Sequence, residues 1–491
     1  MLNHLIVIKR IFSVAMAMLL IIGMANSCTQ KSSAPHEIAI TTNSDEARQA
    51  FLDARELFDK IRFDEAREGF SKAIEKDPNF ALAHFYRAIT GTSQADFDEH
   101  LQHAVSLSTN ASEGERLLIE SQQANAENNP VKALELTEKL VKMFPEDKRA
   151  RSFLGNNYIG LNMNDRAIAE FLKVAEIDPN YSSAYNNLGY RYRQLGDYTK
   201  AEEAFKKYIQ LLPDEANPHD SMADLLTKMG EYEEAIEHYK KAVELNPTFA
   251  FSQRKVGDNL SFMGKYDEAR EAYYEAMAKE VTETGKAVDM GRVARSYLYE
   301  NNPQEAINYF DKAIAITKEA GNKALEANLH AGKCRVYIEN SDFEAAKKSI
   351  AACMAIVDNA ELSVAVKENF AKNALFDAAQ MDSKMKNYSE AMAKAEAYKQ
   401  KATNSHNPRD MENYHALMGY VLLDKGDYAK AVEHLKQANP SNPYAMYHLA
   451  VAESKAGNAE AAAKSFKKVA NWNQSGFLYT FVRGKAMKAA M

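Results

Sequence analysis

Apolar residues recur along this chain at the spacing of one helix face. Phe63, Ala66, Phe70 and Ala73 lie three or four positions apart, so they form a single stripe on a helix of 3.6 residues per turn. The same stripe returns as Ala167/Phe171, Ala201/Phe205, Ala235/Tyr239 and Ala269/Tyr273, and the four starts are 34 residues apart. A second stripe precedes it, written Leu154-Gly155-x-x-Tyr158 and Leu188-Gly189-x-x-Tyr192. Between the stripes stand Gly196, Gly230 and Gly264, where a helix ends and a positive φ is needed. Asp197-Tyr198 and Glu231-Tyr232 then open the next helix with an acid near its positive end. After the second stripe come Pro179, Pro213 and Pro247, which cannot continue a helix. The pattern predicts helical hairpins in tandem, with Gly155 and Gly189 facing Ala167 and Ala201 where two helices approach closely.

Four such matches in phase resemble the tetratricopeptide repeat, and the resemblance implies an all-α TPR superhelix, a solenoid of helix-turn-helix units. Extending the frame gives about twelve units, starting near Ala47, Ala81, Gly114, Lys148, Ser182, Ala216, Ala250, Ala287, Ala327, Lys372, Glu412 and Pro443. Residues 46–283 are expected as a regular array. In residues 284–411 the interval grows, and Thr317 to Glu326 and Val357 to Lys372 are expected to lengthen the helices instead of forming loops. Residues 412–491 are expected as a final repeat pair with a capping helix from Leu478.

The first residues follow a different rule. Lys9 and Arg10 precede an apolar run from Ile11 to Met24, too short to cross a bilayer core that needs about 20 residues. Residues 1–27 therefore read as a signal peptide. Ala25-Asn26-Ser27-Cys28 resembles a bacterial lipobox, which implies lipid attachment at Cys28 and a membrane anchor; the alternative is an ordinary signal-peptidase site with the same mature start. Residues 28–45 carry no helical period and read as a flexible tether. The expected location is the outer membrane, facing the periplasm, with soluble periplasmic or cell-surface placement as the alternative.

Composition narrows the function. Hydrophobic residues are 46% and charged residues 26% of the chain, which argues against disorder. The net charge of −7 falls to −9 once Lys9 and Arg10 are removed, so the chain would repel phosphate backbones and nucleic acid is not an expected partner. No phosphate loop, nucleophile elbow or zinc-protease motif is present, and neither an enzymatic role nor a cofactor is expected. His100 and His103 lie one turn apart beside Glu99, but no third ligand stands at fixed spacing, so a polar helix face is expected and not a metal site. Cys334 and Cys353 fall too far apart in the repeat frame for a disulfide and read as buried thiols. The many tyrosines, Tyr158, Tyr239 and Tyr273 among them, occupy repeat core positions.

In the repeat family the first helices line a concave face. The resemblance places Arg149, Ser152, Asn156 and Ile159 in it, then Ser183, Asn186, Tyr190 and Arg193. Asn217, Asp220, Asp224 and Thr227 follow, and finally Phe251, Arg254, Asp258 and Ser261. This groove is polar and mixed in charge, suited to an extended peptide or a polar protein surface. A paired Lys/Asn carboxylate clamp is not expected, because Ser152 and Asn217 stand at its lysine positions. The expected function is a non-enzymatic scaffold that binds envelope proteins. A glycan-binding envelope lipoprotein is the alternative, although the chain has a single Trp, Trp472, and no aromatic-bearing insertion outside the repeats.

Overall fold

The computed structural model describes residues 37–404 and 407–491. The expected signal peptide, the expected lipid-attachment residue Cys28 and the first part of the expected tether lie outside the described residues. The chain divides into two units at Gly196/Asp197.

The first unit contains α1 (Asp45–Asp59), α2 (Phe63–Lys76), α3 (Ala81–Ile89), α4 (Gln94–Leu107), α5 (Glu113–Ala126), α6 (Pro130–Met143), α7 (Lys148–Gly160), α8 (Asn164–Ile177) and α9 (Ser182–Leu195). Consecutive helices pack as hairpins, α1 on α2, α3 on α4, α5 on α6 and α7 on α8. Local chemistry starts each helix. Asp147 accepts hydrogen bonds from the amides of Arg149 and Ala150, and Asn129 caps α6 with Pro130 at its first position. The turns inside the hairpins need a left-handed residue. Asn128 and Asn162 supply it at φ +57° and +58°, where a sequence reading alert only to glycine would miss the signal. Ala66, Phe70, Ala167 and Phe171 are fully buried, and they come from the apolar stripes read in the sequence. Gly155 lies against the Phe171 ring: a Cβ there would stand 2.8 Å from it. The glycine makes room for an aromatic side chain.

The expected tether behaves differently from Ile38 onward. Ile38 and Ile40 pack on the core of the first unit. The Ile38 amide donates to Asp147 (2.8 Å), the Thr41 amide and hydroxyl both donate to Glu115 (2.8 and 2.6 Å), and the Thr42 hydroxyl donates to Asp77. Arg48 returns its guanidinium to the carbonyls of Ile40 and Thr42. Residues 38–42 are thus an extended segment fastened across three inter-repeat turns. Polar threonines made it look like a spacer, yet acceptors in those turns satisfy its backbone. Glu115 is fully buried and also accepts from the Ser112 amide in a capping box. Glu115→Ala is expected to destabilise this unit by about 2 kcal/mol, because it leaves buried donors unpaired. Hydrogen exchange at the Thr41 amide would rise sharply; unchanged protection there would show that the segment is held by Ile38 and Ile40 alone.

The second unit opens with α10 (Tyr198–Leu211), α11 (Ala216–Met229), α12 (Tyr232–Leu245), α13 (Ala250–Phe262) and α14 (Tyr266–Ala278). Longer helices follow: α15 (Glu283–Tyr299), α16 (Pro303–Glu319), α17 (Lys323–Glu339), α18 (Phe343–Asn359), α19 (Val364–Lys384) and α20 (Tyr388–Asn404). It ends with α21 (Pro408–Lys425), α22 (Tyr428–Leu435), α23 (Pro443–Lys455), α24 (Ala459–Ala470) and α25 (Arg483–Ala490). Helices α15 to α20 run 17 or 21 residues, against 13 or 14 for α10 to α14. The two stretches expected to lengthen the helices do so, each from both sides of a short turn, at Gly321 (φ +70°) and at Ala360–Ser363. Cys334 and Cys353 are free and buried, and burial pushes the Cys353 thiol up to about 11.

The end of the chain does more than cap α24. From Asn471 it leaves the helical pattern and crosses the unit. The Lys228 ammonium donates to the Trp472 carbonyl (2.7 Å) and lies over its ring, and the Tyr232 hydroxyl donates to Asn473 (2.6 Å). Phe477 meets Phe310 edge-on, and the Arg483 guanidinium donates to the Phe262 carbonyl (2.9 Å). Among the described residues no helix is long and apolar enough to cross a membrane.

Candidate functional site

The inner positions carried over from the repeat pattern divide into two kinds. In the first unit Arg149 is bound internally: Asp59, at the end of α1, accepts from its guanidinium and, at 2.9 Å, from the Tyr181 hydroxyl. Ser152 returns its hydroxyl to the Lys148 carbonyl one turn back. Asn156 is exposed, and Ile159, Ser183, Asn186, Tyr190 and Arg193 are half-buried, with the Arg193 guanidinium 4.7 Å from the Tyr190 ring centroid. Asn157, beside this row, donates to Ser121, Thr137 and the Ala133 carbonyl, so it ties α7 to the preceding hairpin.

In the second unit Phe251 is exposed, whereas the polar residues at these positions are tied into the fold. Asn217 accepts from the Tyr208 hydroxyl (3.2 Å), and Asp220 from the Ser252 hydroxyl (2.6 Å). Asp224 accepts from the Tyr239 hydroxyl (2.6 Å) and pairs with Lys255 of the next repeat. Asp258 repeats that arrangement with the Tyr273 hydroxyl (2.7 Å) and Arg292 (3.1 Å). Arg254 is clamped by Glu280 and Asp289. Asp220 and Asp258 are 5% and 4% exposed, so they cannot present carboxylates to a partner; Ser261 is buried as well. An inner-face aspartate is consumed wherever a tyrosine of its own hairpin and a cation of the next repeat reach it.

One concavity is lined by residues that the positional rule missed. A cavity of about 440 Å³ opens between α15, α16, α17 and α19 in the second unit, with Phe477 on its wall. Its charged lining residues are Arg292, Arg295 and Arg335; no carboxylate lines it. Arg292 and Arg295 are three positions apart, a helix-face pair visible in the sequence. Arg335 and Phe477 carried no such signal, because only the folded chain brings them there.

His100 and His103 share a cluster with His84 from α3, with ring centroids 5.0 to 6.5 Å apart. Among the described residues no group of three or more ligating side chains is arranged for a metal ion. The Nδ1 atoms of His84 and His100 are 3.2 Å apart and share one proton. The same Nδ1 pairing joins His219 to His238 and His415 to His434, each at 3.1 Å. Burial holds His84 down at about 4, and the positive charges of His100 and His103 act in the same direction against the Pro78 carbonyl and Glu99. A depressed histidine contributes stability that is complete above its usual 6.5 and lost as pH falls towards the folded value. Stability is therefore expected to drop between pH 6.5 and 4, by on the order of 3 kcal/mol from His84 alone. Urea unfolding across that range would show it, and His84→Gln would flatten the curve.

Comparison with known proteins places the fold. Models described as "Tetratricopeptide repeat" match residues 124–189, 182–215, 221–249, 290–324 and 422–479. The chain is an all-α protein built of tetratricopeptide repeats. No curated protein matches the sequence. Among solved structures, the crystal structure of MamA is 23% identical over 34% of this chain and 92% of its own, with a TM-score of 0.31. MamA 41-end from Desulfovibrio magneticus RS-1 is 20% identical over 34% of this chain and 96% of its own, at 0.31. YrrB, titled a TPR protein with an unusual peptide-binding site, is 24% identical over 37% of this chain and 92% of its own, at 0.29.

Proposed function

We propose that this protein is a non-enzymatic scaffold of the bacterial cell envelope, exported by its leader, anchored through Cys28 and engaging an envelope protein along the inner row of α7 and α9. The observation that carries the reading is the difference between the two units. The second unit uses its inner aspartates as internal struts, whereas the first keeps Asn156 exposed and Asn186, Tyr190 and Arg193 only half-buried on one face. Side-chain amides with an aromatic and a guanidinium suit hydrogen bonding to an extended peptide or a polar protein surface. The leader and the lipobox-like Ala25–Cys28 support export and anchoring, and facing the periplasm is the location that suits them.

The test is photo-crosslinking in living cells from Asn186 replaced by a photoreactive residue, with mass spectrometry of the adducts. A recurrent envelope protein among the adducts is expected. Labelling of glycan alone, or of no macromolecule, would overturn the protein-scaffold reading. Radiolabelled palmitate incorporation lost in Cys28→Ser checks the anchor separately.

A further inference from the structure

The geometry points to a second binding site in the second unit, the arginine-lined cavity, whose ligand we infer to be a peptide carboxylate next to a large apolar side chain. The inference rests on the protein being a peptide-binding scaffold but uses a different surface.

The cavity has two kinds of wall. Phe310, Leu329 and Phe477 make one apolar, and Arg292, Arg295 and Arg335 make the other cationic. The carboxylates that balance these arginines stand behind them: Asp258 pairs with Arg292 at 3.1 Å and Asp377 with Arg335 at 3.1 Å. Both aspartates are buried, and neither lines the cavity. They orient two guanidinium groups without covering them. Arg295 differs from both. It is half-buried, and among the described residues it makes no hydrogen bond and no ion pair, although Asp258 and Asp289 lie near enough for it to influence their titration. A half-buried guanidinium without an acceptor is costly, and an anion in the cavity would supply Arg295 with the partner it lacks.

The size and the two walls choose among anions. About 440 Å³ is in the range of a ligand pocket and exceeds what a bare inorganic ion needs. The apolar wall would leave a small hydrated anion with nothing to bury, while an aliphatic or aromatic side chain beside the carboxylate fills it. The carboxylate has two sources, a chain end or an Asp or Glu side chain, and both carry the same charge to the same arginines.

Fluorescence polarisation with the full mature chain separates them. The probes are three fluorescein-labelled octapeptides: amidated Gly-Ser-Gly-Asp-Phe-Gly-Ser-Gly, its Asn-for-Asp counterpart, and Gly-Ser-Gly-Ser-Gly-Ser-Gly-Phe with a free carboxylate. At least one carboxylate probe is expected to bind about tenfold or more tighter than the amidated Asn peptide. Arg295→Gln is expected to remove that preference with the melting curve unchanged, and which carboxylate probe binds names the source. Equal binding of the Asn peptide, an unaltered preference in Arg295→Gln, or no binding up to about 1 mM would overturn the inference. Because the crosslinking test reads Asn186 in the first unit, such a failure leaves the scaffold reading to be decided there. Should Arg295→Gln lower the melting curve, Arg295→Lys, which keeps the charge but not the fork, must retain part of the preference; its complete retention or complete loss would equally overturn the site.

Discussion

Asp258→Ala is expected to destabilise the second unit by about 3–5 kcal/mol, the range for breaking a buried pair from one side. The carboxylate is 4% exposed and accepts from the Tyr273 hydroxyl at 2.7 Å and from Arg292. Removing it leaves the buried Tyr273 hydroxyl with only the more distant Ser261 hydroxyl at 3.5 Å, and takes from Arg292 its closest carboxylate. Burial alone would raise the Asp258 carboxyl; Arg292, Arg295 and Lys255 overcome it and hold the group below the usual carboxylate range. The sign of the pH effect follows: this pairing stabilises fully above the unfolded pKa and is lost as pH falls through the folded one. Asp258→Asn keeps the shape and removes the charge, so its penalty should be smaller and insensitive to acid. Denaturant unfolding, together with hydrogen exchange over α13 to α15, measures both. An Asp258→Ala protein within about 1 kcal/mol of the parent would mean that Arg292 swings to solvent and that the strut is not rigid.

What the sequence reveals depends on how far apart the interacting residues stand. The stripes Ala167/Phe171 and Ala235/Tyr239 were legible because their partners lie within one hairpin and repeat every 34 residues. The fate of Asp224 and Asp258 was not, since position alone puts them on the inner face. Whether they stay open depends on Tyr239 and Tyr273 fifteen residues on, and on Lys255 and Arg292 in the following repeat. Residues 38–42 have no period, and their acceptors, Glu115 and Asp147, come from turns far along the chain. The arginine cavity combines a legible pair, Arg292 and Arg295, with Phe477, whose place is set only after the chain has passed four more hairpins. A non-periodic segment gives the pattern nothing to read, and its aromatic residues, Trp472 and Phe477 here, are the clue that it packs.

Truncation after Ala470 is expected to change how the second unit unfolds, not just how strongly it resists. A solenoid is held by nearest-neighbour contacts, so its ends fray and its repeats melt in sequence. The terminal segment departs from that rule. It links Trp472 and Asn473 to Lys228 and Tyr232, Arg483 to Phe262 and Phe477 to Phe310, contacts that span much of the unit. Long-range links couple repeats that would otherwise melt independently. With the segment present, the second unit should unfold in one steep transition; without it, in a broader one with a lower denaturant slope, because each step exposes less surface. Tyr479→Ala is the point version. Its side chain is fully buried against Phe262, and its hydroxyl donates to the carbonyls of Val469 and Ala470. Losing it should cost about 3–5 kcal/mol, as for other large aromatic truncations. Circular dichroism against urea reads both variants. A truncated chain that keeps a single transition at the parent midpoint would show that the repeats cooperate on their own, and the tail would then be a lid on α24 and nothing more.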